Sequence, residues 1–145
     1  MPDTLDNSRR AAVISGPMTG LPNYNMPAFD AAEARLRALG YTVIHNPATL
    51  SRSLGLGQPW GEYLGRGLEA MRIMRERFGA GVDLIQLPGW RESDGAALEF
   101  ALAQRYCWRC VSLDGEHSAF DVAFGPLPGD ETEAKGKTDC KGESQ

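Results

Sequence analysis

The sequence contains no long hydrophobic run, and this absence argues against several classes of protein. None of its apolar stretches reaches the roughly 18 residues that a membrane-spanning helix requires. The first ten residues include Asp3, Asp6, Arg9 and Arg10 and lack the apolar stretch of a signal peptide. We therefore expect a cytoplasmic protein with no membrane partner.

An excess of positive charge is also missing. The 145 residues include 15 Lys and Arg against 19 Asp and Glu, which gives a formal net charge of −4. A protein that binds along a nucleic acid needs a basic face to neutralise the phosphates. We therefore expect no nucleic acid polymer as a partner, although a pocket that is locally positive remains compatible with a small anionic ligand.

Cysteine is scarce, with three in the chain. An odd number without framework spacing argues against a disulfide-stabilised scaffold. Cys107 and Cys110 form a C-x-x-C pair, a pattern found in redox sites and in halves of zinc sites. No second Cys/His pair accompanies it, so we expect two small buried side chains and no metal.

Short apolar segments alternate with longer helical patterns along the rest of the chain. The apolar segments predict strands at residues 10–15, 41–44, 82–87 and 109–113, with a possible fifth at 119–124. The helical patterns lie at 27–39, 60–78 and 95–106, and the Ser/Gly-rich residues 51–59 predict a loop. Strands separated by helices of a dozen residues indicate right-handed crossovers and a parallel sheet covered on both faces.

The predicted fold is therefore α/β, a Rossmann- or flavodoxin-like three-layer sandwich with a four- to five-stranded parallel sheet. The composition predicts one domain at residues 10–124. Residues 1–9 and the polar tail at 125–145 offer little apolar surface to bury, and we expect both to be disordered.

Two loops are expected to border one crevice. The first strand ends in Ser15-Gly16-Pro17-Met18-Thr19-Gly20, and the third is followed by Pro88-Gly89-Trp90. In such folds ligands bind outside the carboxyl ends of the strands, and glycines let backbone N–H groups approach a phosphate or sugar.

Glu99 is the strongest candidate for chemistry. It follows the expected start of the third helix at Gly95 by about one turn, and its neighbours Leu98 and Phe100 are apolar. A carboxylate placed there can attack an anomeric carbon, whereas the simpler interpretation is a solvated surface glutamate. Ser93 is placed to cap the same helix and, with the N–H groups that follow, to bind an anion; capping alone explains it equally well.

These segments together resemble the nucleoside 2-deoxyribosyltransferase superfamily, and more closely its small phage-associated branch. The resemblance covers Ala11 to Leu113 and rests on the order and spacing of the Ser15–Gly20 segment, the Leu87–Trp90 segment and Ser93-x-Gly95-x-x-x-Glu99. It implies that Glu99 attacks C1′ of a nucleoside and forms a covalent glycosyl-enzyme intermediate. Ser93 matches the serine that contacts the 5′-phosphate in the deoxynucleoside 5′-monophosphate N-glycosidases, where the transferases carry aspartate.

The expected substrate-binding set comprises Ser15, Gly16, Pro17, Met18, Tyr24, Asn25, Trp90, Ser93, Asp94 and Gly95. The resemblance implies Ser15, Gly16 and Met18. Tyr24 and Asn25 are included for their position after the first loop, with a simple turn as the alternative, and Trp90 could instead pack at a subunit interface. The resemblance also shows one departure. The family usually carries an aspartate on the helix before the third strand, where it assists departure of the base, and this chain has Gly67. Glu69 and Glu62 are nearby carboxylates that could replace it, and His45 could contact a base.

The sequence thus predicts an N-glycosidase or deoxyribosyltransferase acting on a (deoxy)nucleoside 5′-monophosphate, without a cofactor. The alternative is a non-catalytic binder of nucleotides or of a nucleotide-derived signal, which Gly67 favours, and a third is a structural domain with a protein partner. The resemblance implies a homodimer and, for a phage gene, a bacterial host cytoplasm. Apolar residues of the helix at 60–78 agree with a dimer surface, although they could also simply cover the sheet; they are Trp60, Tyr63, Met71, Ile73, Met74 and Phe78.

Overall fold

Four short strands form one parallel sheet at the centre of the chain. The structure, a computed structural model, describes residues 11–113. Its strands are β1 (Ala11–Ser15), β2 (Val43–His45), β3 (Val82–Gln86) and β4 (Arg109–Ser112). They lie in the order β2-β1-β3-β4, and every neighbouring pair is parallel. The prediction of an α/β fold with a Rossmann- or flavodoxin-like parallel sheet is confirmed.

Four helices connect and cover the strands. They are α1 (Met26–Ala38), α2 (Pro47–Leu54), α3 (Trp60–Phe78) and α4 (Asp94–Arg105), with short 3-10 turns at Pro22–Asn25 and Trp90–Glu92. Within residues 11–113, no helix combines the length and the apolar character needed to span a membrane.

The two faces of the sheet bury separate apolar clusters, which is why the central strands read as nearly continuous apolar runs. On one face Ala12 and Ile14 pack with Phe29 and Leu36 of α1. On the other face Val13 and Leu84 pack with Met71 and Met74 of α3 and with Ala103 of α4. The result is a three-layer molecule with a helix pair on each side of the sheet.

The segment after β2 differs from the prediction. A loop was expected at residues 51–59, whereas a helix occupies Pro47–Leu54. Asn46 caps this helix, because its side chain accepts a hydrogen bond from the Ala48 N–H at 2.8 Å, and Pro47 suits the first turn. The Asn46-Pro47 pair that follows β2 is therefore the start signal of a helix.

Buried charges join the strands near the amino end of the sheet. Asp83 of β3 is fully buried and receives two hydrogen bonds from Arg109 of β4, from Nε at 3.1 Å and from Nη2 at 2.8 Å. The Tyr41 hydroxyl donates to the same carboxylate at 2.5 Å. A buried carboxylate is tolerated when it is paired and hydrogen-bonded in this way.

Three parts of the prediction lie outside the described residues. They are the N-terminal segment 1–9, the fifth strand at 119–124 and the polar tail at 125–145.

Cys107 and Cys110, which were expected to be buried, are both half-buried on either side of the start of β4.

Candidate functional site

A pocket of about 290 Å³ opens at the carboxyl edge of the sheet, beside the loop that leaves β1. The sheet order places β1 and β3 at the point where the chain changes direction across the sheet, the usual ligand crevice of such folds. The loop after β1 contributes Gly16, Met18 and Thr19 to the lining. The start of α2, the α2–α3 connection and the first turns of α3 and α4 complete it.

Glu99 lies in this pocket and is held by the end of β1. The Ser15 hydroxyl donates a hydrogen bond of 2.6 Å to Oε1 of Glu99. Ser15 is fully buried as the last residue of β1, and Glu99 lies in the second turn of α4 and is half-buried. The structure therefore brings together two residues that the sequence separates by 84 positions, and it fixes one oxygen of the carboxylate.

The protonation of Glu99 is set mainly by its surroundings. Burial raises the pKa of this carboxyl to about 7, because removal from water disfavours the charged form, and the hydrogen bond from Ser15 opposes that rise. Near neutral pH the group therefore exists in both forms. A carboxyl with such a pKa in a pocket is a candidate for acid, base or nucleophilic chemistry.

Gly67 of α3 faces the second oxygen of the carboxylate. A Cβ atom at this position would lie 3.2 Å from Oε2 of Glu99. Glycine in a helix interior costs about 1 kcal/mol of stability relative to alanine. Because it has no side chain, Gly67 leaves the space next to the carboxylate open. The position where the resemblance leads us to expect an aspartate is thus adjacent to Glu99, and no side chain fills it.

The N-terminus of α4 forms another part of the lining. Ser93 caps the helix by accepting a hydrogen bond of 3.2 Å from the Ala96 N–H. Ser93, Gly95 and Ala96 all line the pocket. Capping is therefore shown, whereas phosphate binding by the same residues stays a prediction.

Aromatic side chains form one wall of the pocket, of which Tyr24 was expected as a binding residue and Trp60 and Tyr63 were not. Tyr24, Trp60 and Tyr63 line the pocket, and Tyr24 and Trp60 are 42% and 51% exposed. Trp60, Tyr63, Leu64 and Gly67 are spaced at i, i+3, i+4 and i+7, so they share one face of α3. That spacing was visible in the sequence, but the aromatic residues were interpreted as part of a dimer surface.

The tyrosines are positioned by the backbone around them. The Tyr63 hydroxyl donates to the carbonyl oxygen of Gly55 at 2.6 Å and accepts from the Gln58 N–H at 3.1 Å. Tyr24 and its neighbours Asn23 and Asn25 adopt left-handed φ values of 52° to 59°. Asn tolerates this conformation better than most residues, so the two asparagines help the chain place Tyr24 at the pocket.

Several residues of the predicted binding set lie away from the lining. Asn25 donates a hydrogen bond from Nδ2 to the Pro17 carbonyl at 3.0 Å and so braces the loop after β1. Trp90 is 7% exposed, packs against Phe100 with ring centroids 4.9 Å apart, and donates to the Ser112 hydroxyl at 3.2 Å. Both residues support the site from outside.

The remaining polar residues that were expected at the site also lie outside the pocket lining. Asp94 is exposed beside the pocket entrance residues Ser93 and Gly95. Glu69 is exposed and pairs with Arg72 at 2.6 Å, and Glu62 pairs with Arg66 at 3.1 Å. His45 lines a separate surface cavity with Glu33, Arg37 and Asn46. Neither glutamate of α3 thus replaces the aspartate that the resemblance implies.

The pocket has no metal-binding cluster in the part of the chain that the structure covers. Among residues 11–113, no three His, Cys, Asp or Glu side chains are grouped so that they could hold an ion.

Comparison with known proteins gives one match. Residues 11–111 match the family model described as a domain of unknown function, DUF4406. The matched segment contains every helix and every pocket residue described above, and all of the strand residues except Ser112 at the end of β4. No curated protein and no solved structure matches the chain significantly.

Proposed function

The chain belongs to the DUF4406 family, whose function is unknown, and we propose that it cleaves the base–sugar bond of a (deoxy)nucleoside 5′-monophosphate. The observation that carries this proposal is the carboxylate of Glu99, fixed by Ser15 in a small pocket at the carboxyl edge of the sheet. The volume of about 290 Å³ is at the lower end of the range of small-molecule sites, about 300–1,000 Å³.

The arrangement of the two carboxylate oxygens suits nucleophilic attack. Oε1 accepts the hydrogen bond from Ser15, and Oε2 is directed towards the space left by Gly67. In the proposed reaction Oε2 attacks C1′, the C1′–N bond breaks, and its electron pair leaves with the base. Water then attacks C1′ of the glycosyl ester and releases the sugar phosphate and the Glu99 carboxylate, and the proton that the water loses passes through solvent to the departed base; attack by another base instead would give a transferase.

The N-terminus of α4 supports a phosphate on the substrate. Ser93, Gly95 and Ala96 at the start of the helix line the same pocket as Glu99. Helix N-termini attract anions because unpaired N–H groups and the helix dipole both favour negative charge. A serine hydroxyl adds a donor where an aspartate would repel a phosphate.

Replacement of the carboxylate tests the proposal directly. Purified protein incubated with each common nucleoside and deoxynucleoside 5′-monophosphate is expected to release free base, which chromatography detects. Glu99→Gln keeps the shape of the side chain but removes the nucleophile, so we expect kcat to fall by at least about 10³-fold. Binding of the monophosphate, measured by calorimetry, should persist.

Glu76→Gln is the matched control, because Glu76 is an exposed carboxylate that pairs with Arg72 on the surface of α3. Its base release should equal that of the wild type. An active protein that retained normal turnover after Glu99→Gln would exclude Glu99 as the nucleophile.

A second candidate function is nucleotide binding without catalysis, and Gly67 is the observation that favours it. Departure of a neutral base is normally assisted by a second acidic group, and position 67 supplies none. Tight binding of a monophosphate by the wild type without release of base from any compound would support this candidate instead.

We also propose that the protein is a cytoplasmic homodimer. Ile73 of α3 is 43% exposed and Leu98 of α4 is 47% exposed, on the two helices that cover the same sheet face. Contiguous apolar surface is typical of protein interfaces, and we propose that these two side chains belong to such a surface. Nucleotides are cytoplasmic metabolites, which agrees with that location, including the cytoplasm of a bacterial host for a phage-encoded protein.

A further inference from the structure

The glycine that faces Glu99 restricts the kind of base–sugar bond that Glu99 can break, because it supplies no proton donor for the departing base. Glycoside cleavage usually requires two carboxyl groups, one that attacks and one that protonates the leaving group. Within residues 11–113, Glu99 is the single carboxylate of the pocket lining. Gly67 faces its second oxygen and carries no side chain that could donate a proton there. The Tyr63 hydroxyl directs its proton to the Gly55 carbonyl at 2.6 Å, so it is not oriented towards a leaving group.

The charge of the pocket also favours a positively charged base over a neutral one. The described lining residues include Glu99 and no Lys, Arg or His. When Glu99 is ionised, the lining carries one negative charge, and that charge attracts a cation in a partly desolvated site. A neutral base gains nothing from this field.

The aromatic wall offers a matching surface for a cationic ring. Tyr24, Trp60 and Tyr63 surround the pocket that contains Glu99. Aromatic faces bind cations through their quadrupole, with tryptophan the strongest. An aromatic cation can stack on such rings while its glycosidic carbon lies near the carboxylate.

On the basis of the proposed function, we propose that the substrates are nucleotides whose base is already positively charged, such as an N7-alkylated purine nucleotide or a pyridinium nucleotide. Oε2 of Glu99 forms a bond to C1′ as the C1′–N bond breaks. The electron pair of that bond neutralises the ring, so the base leaves as a neutral molecule and needs no proton. Water then attacks C1′, Glu99 is released as a carboxylate, and the proton of the water passes to solvent.

Pairs of substrates that differ in the charge of the base test this inference with the full chain. One pair is 7-methylguanosine 5′-monophosphate and guanosine 5′-monophosphate, with the corresponding 2′-deoxy pair. The other is nicotinamide mononucleotide and its reduced form, in which the ring is neutral. General acid catalysis is worth about 10²–10⁴-fold. We therefore expect kcat/KM for the cationic member to exceed that of the neutral member by at least about 10²-fold, after subtraction of spontaneous release.

The outcomes separate this inference from the proposed function. Release that depends on Glu99 and is equally fast for both members of each pair would overturn the charge preference and leave the glycosidase proposal intact. Failure to release base from every compound, or release that Glu99→Gln does not affect, would overturn the glycosidase proposal and the inference with it. Glu76→Gln should match the wild type on all pairs.

Discussion

At the scale of single residues, the site depends on opposing influences on one carboxyl group. Burial raises the pKa of Glu99, and the hydrogen bond from Ser15 lowers it. A fully solvated glutamate would be ionised but weakly activated, whereas a more deeply buried one would stay protonated at neutral pH. With a pKa of about 7, a substantial fraction of Glu99 is ionised at neutral pH while only partly hydrated.

This balance predicts a particular pH dependence. Because Glu99 must be ionised to attack and burial raises its pKa to about 7, kcat/KM should rise with pH through a midpoint near 7. Ser15→Ala removes the hydrogen bond that favours the ionised form, so its midpoint should move to higher pH. The measurement is a pH–rate profile of base release from about pH 5 to 9.

Ser112→Ala is a suitable control for that profile, because Ser112 accepts a hydrogen bond from the buried Trp90 and lies outside the pocket lining. Its midpoint should equal that of the wild type. A profile without change through neutrality, or a Ser15→Ala midpoint at lower pH, would contradict the assigned role of Ser15.

Sequence reasoning identified Glu99, Ser15, Ser93 and Gly67 before their positions were known, but it could not show what they contact. The 2.6 Å bond between Ser15 and Glu99 joins residues from distant parts of the chain, and a local pattern contains no information on such a distance. Trp90 was expected to contact the substrate, with packing at a subunit interface as the alternative. Tertiary packing within the chain instead buries it against Phe100.

At the scale of elements, α4 has a structural and a proposed functional role that depend on the same serine. The Ser93 side chain satisfies the Ala96 N–H and so stabilises the start of the helix. The same helix end is the proposed phosphate site. Two substitutions separate these roles, because aspartate is as good a cap as serine but carries a negative charge.

Ser93→Ala should lower the free energy of unfolding by about 1 kcal/mol and weaken binding of a nucleoside 5′-monophosphate. Ser93→Asp should preserve stability, since it can still cap the helix, yet weaken binding of the monophosphate much more than binding of the matching nucleoside. Urea unfolding and calorimetry provide the two measurements. Equal loss of monophosphate and nucleoside affinity in Ser93→Asp would argue against a phosphate at this position.

The elements also show where sequence patterns are ambiguous. The long periodic segment of α3 was predicted with its observed limits, 60 to 78, despite Gly65 and Gly67. The eight residues of α2 were missed because a short Ser/Gly-rich stretch resembles a loop until its cap is recognised. Asn46 supplies that cap, and its side chain also donates to Glu33 of α1 at 2.9 Å, a tertiary contact that local propensity does not include.

At the scale of the whole molecule, the fold was predictable because the apolar strands and the helical segments between them both favour the same architecture. Apolar strands buried on both faces and amphipathic connecting helices leave a parallel three-layer sandwich as the arrangement that covers both sheet faces. Association between two molecules was harder to predict from the sequence. Met71 and Met74, part of the apolar excess that suggested a dimer, are buried in the monomer against the sheet.

The proposed dimer therefore depends on the apolar residues of α3 that are exposed, such as Ile73. Light scattering at micromolar concentration should give twice the 15.8 kDa mass of one chain. Ile73→Glu places a charge on an exposed apolar position of α3 and should shift the mass towards the monomer, because obligate interfaces of about 2,000 Å² or more exclude unpaired charge. A wild-type mass of 15.8 kDa at all concentrations tested would reject the dimer.

The two ends of the sheet have different tolerance to mutation. At the amino end Asp83, Tyr41 and Arg109 form a buried ionic network, where loss of one partner typically costs about 3–5 kcal/mol. At the carboxyl end the pocket is formed by loops and helix ends, and several of its side chains are exposed. Selection or protein engineering can therefore alter ligand preference at positions such as Tyr24, Trp60 and Gly67, while strand alignment is maintained from the opposite edge.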